Sequence, residues 1–278
     1  MYDRILLPVD EAAVESSLLY HAAELANWDD AAVELLYVAD TGRDSVTVAD
    51  GEVVDALVEE GEKVVAEAGR LLDSLGVEYT TSVEQGTPAK TIVDYAERGG
   101  HDLIAIPTHG REGLSRYLLG SVTEKVVRLA PAPVLTAPLE EDGFEFPYGG
   151  MLLPTDGSDA ALRAARHGLD FAAELDATVH VLSVTEGSLF DDEDGAAAGD
   201  AVDAAVEAAE SRGVGTVTTH VESGDPDTEI LDTIEETGVD AVVMGATGRH
   251  GIERVLLGGT AEKVVRSADV PVITVGDQ

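Results

Sequence analysis

The 278-residue chain contains no cysteine. That excludes a disulfide framework, thiol catalysis and any thiolate metal site. Long apolar runs are missing as well: a stretch such as Arg4-Ile5-Leu6-Leu7-Pro8-Val9 is far too short to cross a bilayer. The sequence opens on that strand-like run and not on a basic stretch leading into a signal-type segment, so a cytoplasmic protein with no membrane partner is expected. Basic charge is scarce, with 17 lysines and arginines against 55 aspartates and glutamates and a formal net charge of -38. Lysine occurs only as Lys63, Lys90, Lys125 and Lys263. Such a chain repels duplex nucleic acid and, in dilute buffer, itself. At about 1 M salt the Debye length is roughly 3 Å and most of that repulsion is gone, so the composition reads as adaptation to a salty cytoplasm. The acid is spread over periodic helical patterns and not gathered in low-complexity tails, which argues against disorder.

The chain repeats itself. Ile5-Leu6-Leu7-Pro8-Val9-Asp10 returns as Met151-Leu152-Leu153-Pro154-Thr155-Asp156, an offset of 146. Leu118-Leu119-Gly120-Ser121-Val122-Thr123-Glu124-Lys125-Val126-Val127-Arg128 returns as Leu256-Leu257-Gly258-Gly259-Thr260-Ala261-Glu262-Lys263-Val264-Val265-Arg266, an offset of 138. The eight-residue difference places a deletion in the second copy between its second strand and second helix. A period near 140 residues makes each copy a whole domain, expected at 1–140 and 147–278, with a polar, glycine-containing linker at the seam. In each copy short apolar runs alternate with helical patterns, the signature of βαβ units and a parallel sheet. Five strands per copy are expected: near Ile5 to Val9, Val33 to Val38, Tyr79 to Val83, Leu103 to Ile106 and Val134 to Ala137, then Met151 to Thr155, Val179 to Val184, Val217 to Val221, Ala241 to Met244 and Val272 to Val275. Right-handed crossovers then give an α/β fold of two tandem doubly wound, five-stranded, Rossmann-like sheets.

The fourth strand of the second copy runs into Gly245-Ala246-Thr247-Gly248, then nine residues, then Gly258-Gly259-Thr260. The first copy has Pro107-Thr108-His109-Gly110, nine residues, then Gly120-Ser121-Val122-Thr123. Together with the aspartate ending each first strand and the Pro133-Val134 and Pro271-Val272 last strands, this arrangement resembles the universal stress protein family over nearly all of both copies. Its physics suits phosphate: glycine lets backbone approach a ligand, and a helix N-terminus offers free N–H groups with about half a positive charge. Ligands in such sheets sit beyond the carboxyl ends of the strands at the switch in strand order. No P-loop is present, so binding and hydrolysis are separate questions.

The resemblance implies ATP or a related adenine nucleotide, with Mg2+ or Mn2+, where used, riding on its phosphates. Residue by residue it implies Pro8, Val9, Asp10 and Val38 beside adenosine in the first copy, and Gly110, Gly120, Ser121, Val122 and Thr123 on ribose and phosphates. In the second copy the corresponding groups are Pro154, Thr155, Asp156 and Val184, then Met244, Gly245, Gly248, Gly258, Gly259, Thr260 and Ala261. Pro107 replaces the first glycine in copy one and removes a backbone donor. Gly259 replaces the Ser/Thr in copy two but keeps its N–H, so copy two ranks as the better binder. Family members often dimerise through their last strands, which here implies an intramolecular pseudo-dimer of 134–137 with 272–275 and leaves a further homodimer open.

Bland readings stand beside these. Ser121 and Glu124 fit S-x-x-E, a capping box worth about 1 kcal/mol without any ligand. Asp10, and Ser158 or Asp159, fit plain N-caps, and Gly110 and Gly248 fit simple turns. Eight of the 17 basic groups, Arg111, Arg116, Lys125, Arg128, Arg249, Arg254, Lys263 and Arg266, cluster around the motif. They form either two positive islands for a polyanion or, in the alternative, helix C-terminal charges and ion pairs. His21 and His167 correspond but carry no assigned role, and His109 has Thr247 as its counterpart. No catalytic constellation and no protein metal site is expected. A dimerising scaffold without nucleotide and a slow ATPase remain the alternatives.

Overall fold

A computed structural model describes residues 1–14, 16–42, 46–49, 52–108, 119–138, 143–185, 192–248 and 257–276. The first repeat runs β1 (Arg4–Pro8), α1 (Glu11–Val14), α2 (Ser17–Asp29), β2 (Ala32–Asp40), β3 (Val46–Ala49), β4 (Glu52–Asp55), α3 (Ala56–Leu75), β5 (Tyr79–Gly86), α4 (Pro88–Gly99), β6 (Leu103–Pro107), α5 (Ser121–Leu129) and β7 (Val134–Ala137). The second runs β8 (Gly150–Pro154), α6 (Asp159–Leu175), β9 (Thr178–Thr185), α7 (Asp192–Arg212), β10 (Val217–Ser223), α8 (Pro226–Thr237), β11 (Ala241–Gly245), α9 (Gly259–Ser267) and β12 (Val272–Val275). All ten expected strands are present. The small β3–β4 hairpin was not expected, and it lies in the stretch where the repeat offset falls from 146 to 138.

The two five-stranded parallel sheets are joined into one. Strand order is β10-β9-β8-β11-β12-β7-β6-β1-β2-β5, and the single antiparallel contact pairs Leu135 with Ile273 at the centre of the chain's pseudo-twofold. Thr136 Oγ1 donates to Val272 O at 3.1 Å and Thr274 Oγ1 to Val134 O at 3.3 Å, so each last strand adds a hydroxyl to its partner's ladder. Both last strands are thereby removed as exposed edges.

Strand side chains alternate between the faces of this sheet, which explains the near-continuous apolar runs. Ile5, Leu7, Leu35, Leu153, Val181 and Ile273 build one core with α2, α3, α6 and α7. Leu6, Leu36, Ile104, Leu152, Val242 and Val272 build the other with α4, α5, α8 and α9. Each core crosses from one repeat into the other. No described helix is long and apolar enough to cross a membrane.

Three matched devices hold the repeats in place. Asp102 accepts from the amides of Asp3 and Arg4 at 2.8 and 3.0 Å, and Asp240 accepts from those of Gly149 and Gly150 at 2.7 and 2.9 Å. Each carboxylate ties the start of its repeat's first strand to the start of the fourth. Helices α4 and α8 both begin with proline at the first turn and end on a left-handed glycine, Gly100 or Gly238, as helix-end chemistry favours. The third device crosses the seam. Tyr148, at the entry to the second repeat, hydrogen-bonds His21 of α2 at 2.6 Å, and Tyr2, at the entry to the first, bonds His167 of α6 at 2.9 Å. Burial lowers the His167 pKa to about 4, so this imidazole is neutral at ordinary pH. The histidines that the sequence left without a role are thus seam residues. Nor is the seam segment simply polar: Phe144 and Phe146 pack edge-on against His21, Tyr148 lies tilted against it, and Phe146 also meets Trp28.

Candidate functional site

The switch in strand order falls between β1 and β6 in the first repeat and between β8 and β11 in the second, and the motif loops leave from there. In the second repeat, successive amides of β11 face opposite neighbours. Val242 and Ala246 donate to Pro271 O and Val275 O on the β12 side, at 2.9 and 3.0 Å. The intervening Gly245 amide therefore turns toward β8, whose pairing with β11 stops at Leu152 opposite Val242. It points to the gap where the two strands part. The same position tolerates no side chain without movement: a Cβ on Gly245 would lie 3.0 Å from Thr247 O and 3.1 Å from Ala160 C of α6.

Beyond the gap the loop is closed by Gly258 N donating to Ala246 O at 2.9 Å. Gly258 is the N-cap of α9 with φ -62 and ψ 137, and it supplies no side-chain cap. The first intrahelical bond runs from Glu262 N to Gly258 O, leaving the amides of Gly259, Thr260 and Ala261 at the open end of the helix. A Cβ on Gly259 would meet nothing within 4 Å among the described residues. Across the crevice, Thr155 N is held by Leu182 O at 2.8 Å, and Asp156 Oδ1 accepts from Ser158 N at 2.9 Å. The other Asp156 oxygen stands 3.0 Å from where a Gly248 Cβ would be. Pro154, Thr155, Asp156, Met244, Gly245, Gly248, Gly258, Gly259, Thr260 and Ala261 thus gather at one strand end. Val184 is half-buried at the end of β9 and packs on the same apolar cluster as Met244 and Leu257.

The first repeat repeats the frame. Gly120 N donates to Thr108 O at 2.8 Å, Thr108 N to Ala137 O at 3.0 Å and Glu124 N to Gly120 O at 2.9 Å. Pro8, Val9, Asp10 and Val38 end β1 and β2 beside it, and Val122 packs with Val38 in one cluster. Two groups differ. Pro107 occupies the place of Gly245 and has no amide to turn into the gap. Thr123, where the second repeat has Ala261, donates its hydroxyl to Pro107 O at 2.8 Å and closes that strand end from within.

Several expectations are revised. Ser121 is the first residue of α5 and not its cap; Gly120 is, without a side-chain bond, so the S-x-x-E pattern forms no capping box. Asp10 Oδ1 does accept from Ala13 N at 2.9 Å, and Ser158 Oγ caps α6 by accepting from Ala161 N at 3.2 Å. Gly110, His109, Arg111, Arg116, Arg249 and Arg254 lie outside the described residues. Of the other basic groups, Lys263 pairs with Asp227 at 2.9 Å. Arg128 and Arg266 sit in the last turns of α5 and α9, about 10 Å along the axis from the open N-termini, where they complement the helix dipole. Among the described residues, Lys263 thus follows the ion-pair reading and Arg128 and Arg266 the helix-charge reading. No group of three or more metal-ligating side chains stands together among the described residues.

What the sequence could not mark is the polar cluster under α4. Glu34 accepts from Ser82 at 3.3 Å, from the Tyr95 hydroxyl and from His101 Nε2 at 2.9 Å. These residues lie 48, 61 and 67 positions from Glu34, and only the β2–β5 register and the return of α4 unite them.

Comparison with known proteins agrees with the architecture. A universal stress protein from Methanocaldococcus jannaschii is 36% identical over 138 residues, covering 49% of this chain and 81% of its own. One from Mycolicibacterium smegmatis is 26% identical over 290 residues and covers 98% of this chain and 96% of its own. The crystal structure of a universal stress protein from Archaeoglobus fulgidus superposes with a TM-score of 0.75 at 23% identity, covering 99% of this chain and 96% of that one, which shows the shared fold. The universal stress protein family pattern matches residues 1–138 and 147–276, twice over and nearly end to end, and the chain belongs to that family.

Proposed function

We propose that this is a cytoplasmic, salt-adapted stress-response protein whose second repeat binds an adenine nucleotide, while the first repeat serves chiefly as its structural partner. The units 1–140 and 147–278 act as one ligand-bearing and one supporting half. The observation that carries the reading is the pairing, in the second repeat alone, of an amide directed into the strand-order gap at Gly245 with an uncapped helix end at Gly259, Thr260 and Ala261. Both present N–H groups to an anion and neither needs a basic side chain. Thr155, Asp156, Met244 and Val184 would flank the nucleoside, and Gly248, Gly258 and the α9 amides the phosphates. Mg2+ or Mn2+ would bind through those phosphates. In the first repeat Pro107 and the Thr123 hydroxyl occupy the equivalent strand end, which supports the scaffold role there.

Calorimetry with ATP, ADP and AMP in molar salt tests this. One nucleotide per chain is expected, with affinity falling at least tenfold in Gly248→Val, whose side chain would press on Asp156. Pro107→Gly should raise the stoichiometry toward two. Absence of both heat and a melting shift for all three nucleotides would return the whole chain to the scaffold reading.

A further inference from the structure

Outside the crevice, one pair of side chains has no part in the nucleotide site. His180 on β9 and His220 on β10 approach with Nδ1 and Nε2 3.1 Å apart. Their rings are nearly parallel, at 15°, with centroids 5.3 Å apart. That centroid separation is close to the nitrogen separation plus the two ring radii, so the rings lie edge to edge in nearly one plane and are not stacked face on face. Two lone-pair positions therefore converge on one point, where a single proton is now shared.

The spacing is that of a chelate. Two nitrogens bound to one ion at about 2.0–2.1 Å are separated by about 2.9 Å at a right angle and about 3.3 Å at the tetrahedral angle. The observed distance falls between these limits; because the rings now meet nearly head-on, each must turn in its own plane by about 40° to direct its lone pair at the ion. We propose that His180 and His220 form a two-imidazole site for a borderline divalent transition ion, Cu2+ most tightly and Zn2+ next, which displaces the shared proton. Imidazole suits these ions, and the affinity order of divalent metals places Cu2+ above Zn2+. No third histidine, aspartate or glutamate joins the pair among the described residues, so water completes the coordination. Water has access: β10 is the terminal strand of the sheet, and Thr218, Thr219 and Glu222 along it are exposed.

The local architecture holds the pair ready. His180 and His220 sit on adjacent parallel strands, with Thr218 opposite His180 and Leu182 opposite His220, so the two side chains share a face one step apart along the register. The matched positions in the first repeat are Glu34 and Ser82, which serve the closed cluster with Tyr95 and His101 instead. That repeat has no imidazole pair there and supplies an internal control.

Metal-free protein without nucleotide should be titrated with ZnCl2 and, separately, CuSO4 in chloride buffer of molar strength. One ion per chain is expected, with Cu2+ bound more tightly than Zn2+. Histidine side-chain NMR of the wild-type protein should show the His180 and His220 imidazole signals moving together on adding Zn2+, while His101 stays unchanged. His180→Gln and His220→Asn should each weaken binding at least tenfold and lose the rise in melting temperature that Zn2+ gives the wild type. The proposal is overturned if either variant binds with unchanged affinity, if millimolar Zn2+ leaves both imidazoles unmoved, or if MgCl2 moves them equally. The NMR measurement needs no variant, so a folding defect in either substitution does not protect the idea.

Discussion

The two repeats share a backbone almost strand for strand and differ in what occupies it. Elements that orient the fold are kept in both: the Asp102 and Asp240 clamps, the proline-to-glycine helices α4 and α8, and the reciprocal Tyr–His bonds of the seam. Positions that face a cavity or a partly open surface diverge. Glu34 becomes His180, Ser82 becomes His220, Pro107 becomes Gly245 and Thr123 becomes Ala261. The clamps are thus kept in both halves, while the side chains at these four positions differ from one repeat to the other.

The join itself should show the largest effect. Leu135 and Ile273 are fully buried partners across β7 and β12. Leu135→Ala and Ile273→Ala should each cost about 2–5 kcal/mol in denaturant unfolding, the range for deleting a buried aliphatic side chain. Equal losses with one cooperative transition are expected; two separate transitions would mean that the repeats unfold independently.

A smaller and equally symmetric effect is expected at the seam. Tyr2→Phe takes its partner from the half-buried His167 and Tyr148→Phe from the buried His21, a penalty of about 1–3 kcal/mol each. The comparison is sharpened if both cost the same, and broken if only Tyr148→Phe matters, because the aromatic seam segment lies on that side alone.

The smallest difference lies in acid sensitivity. Burial pushes the Glu34 carboxyl up, but hydrogen bonds from Tyr95, His101 and Ser82 outweigh it and hold the group below its usual value of 4.5. Its contribution to stability is fully present above pH 4.5 and is lost as pH falls through the lowered value. At the matched position, burial and His220 lower His180 below 6.5, so the unfolded imidazole takes up its proton first and the loss begins as pH falls through 6.5. Urea unfolding against pH should show His180→Asn converging on wild type from pH 6.5 downward and Glu34→Gln only below 4.5. The opposite order would show that the matched positions do not titrate as their surroundings dictate.

Much of this was legible in the chain. The duplicated Leu-Leu-Pro strands, the glycine spacing and the Pro133 and Pro271 last strands mark local events, and local events depend on neighbours in sequence. The ten strands and their parallel order follow from that patterning. The Ser121 capping box failed because S-x-x-E cannot say which residue the chain turns on; the bond from Gly120 N to Thr108 O settles it in favour of Gly120. Of the basic residues near the motif, Lys125 and Arg128 lie along α5 and Lys263 and Arg266 along α9, a spread that proximity in sequence does not reveal.

Composition and periodicity by themselves determined the fold class, the duplication and the strand ends from which the motif loops leave, because hydrophobic alternation and glycine positions act over a few residues. Only the tertiary structure decided that the two sheets become one, that Gly245 turns its amide into the gap where Pro107 has none, and that His180 meets His220. Those outcomes depend on register between strands distant in the chain, and register is set by the packing of whole faces, which no short stretch of sequence contains.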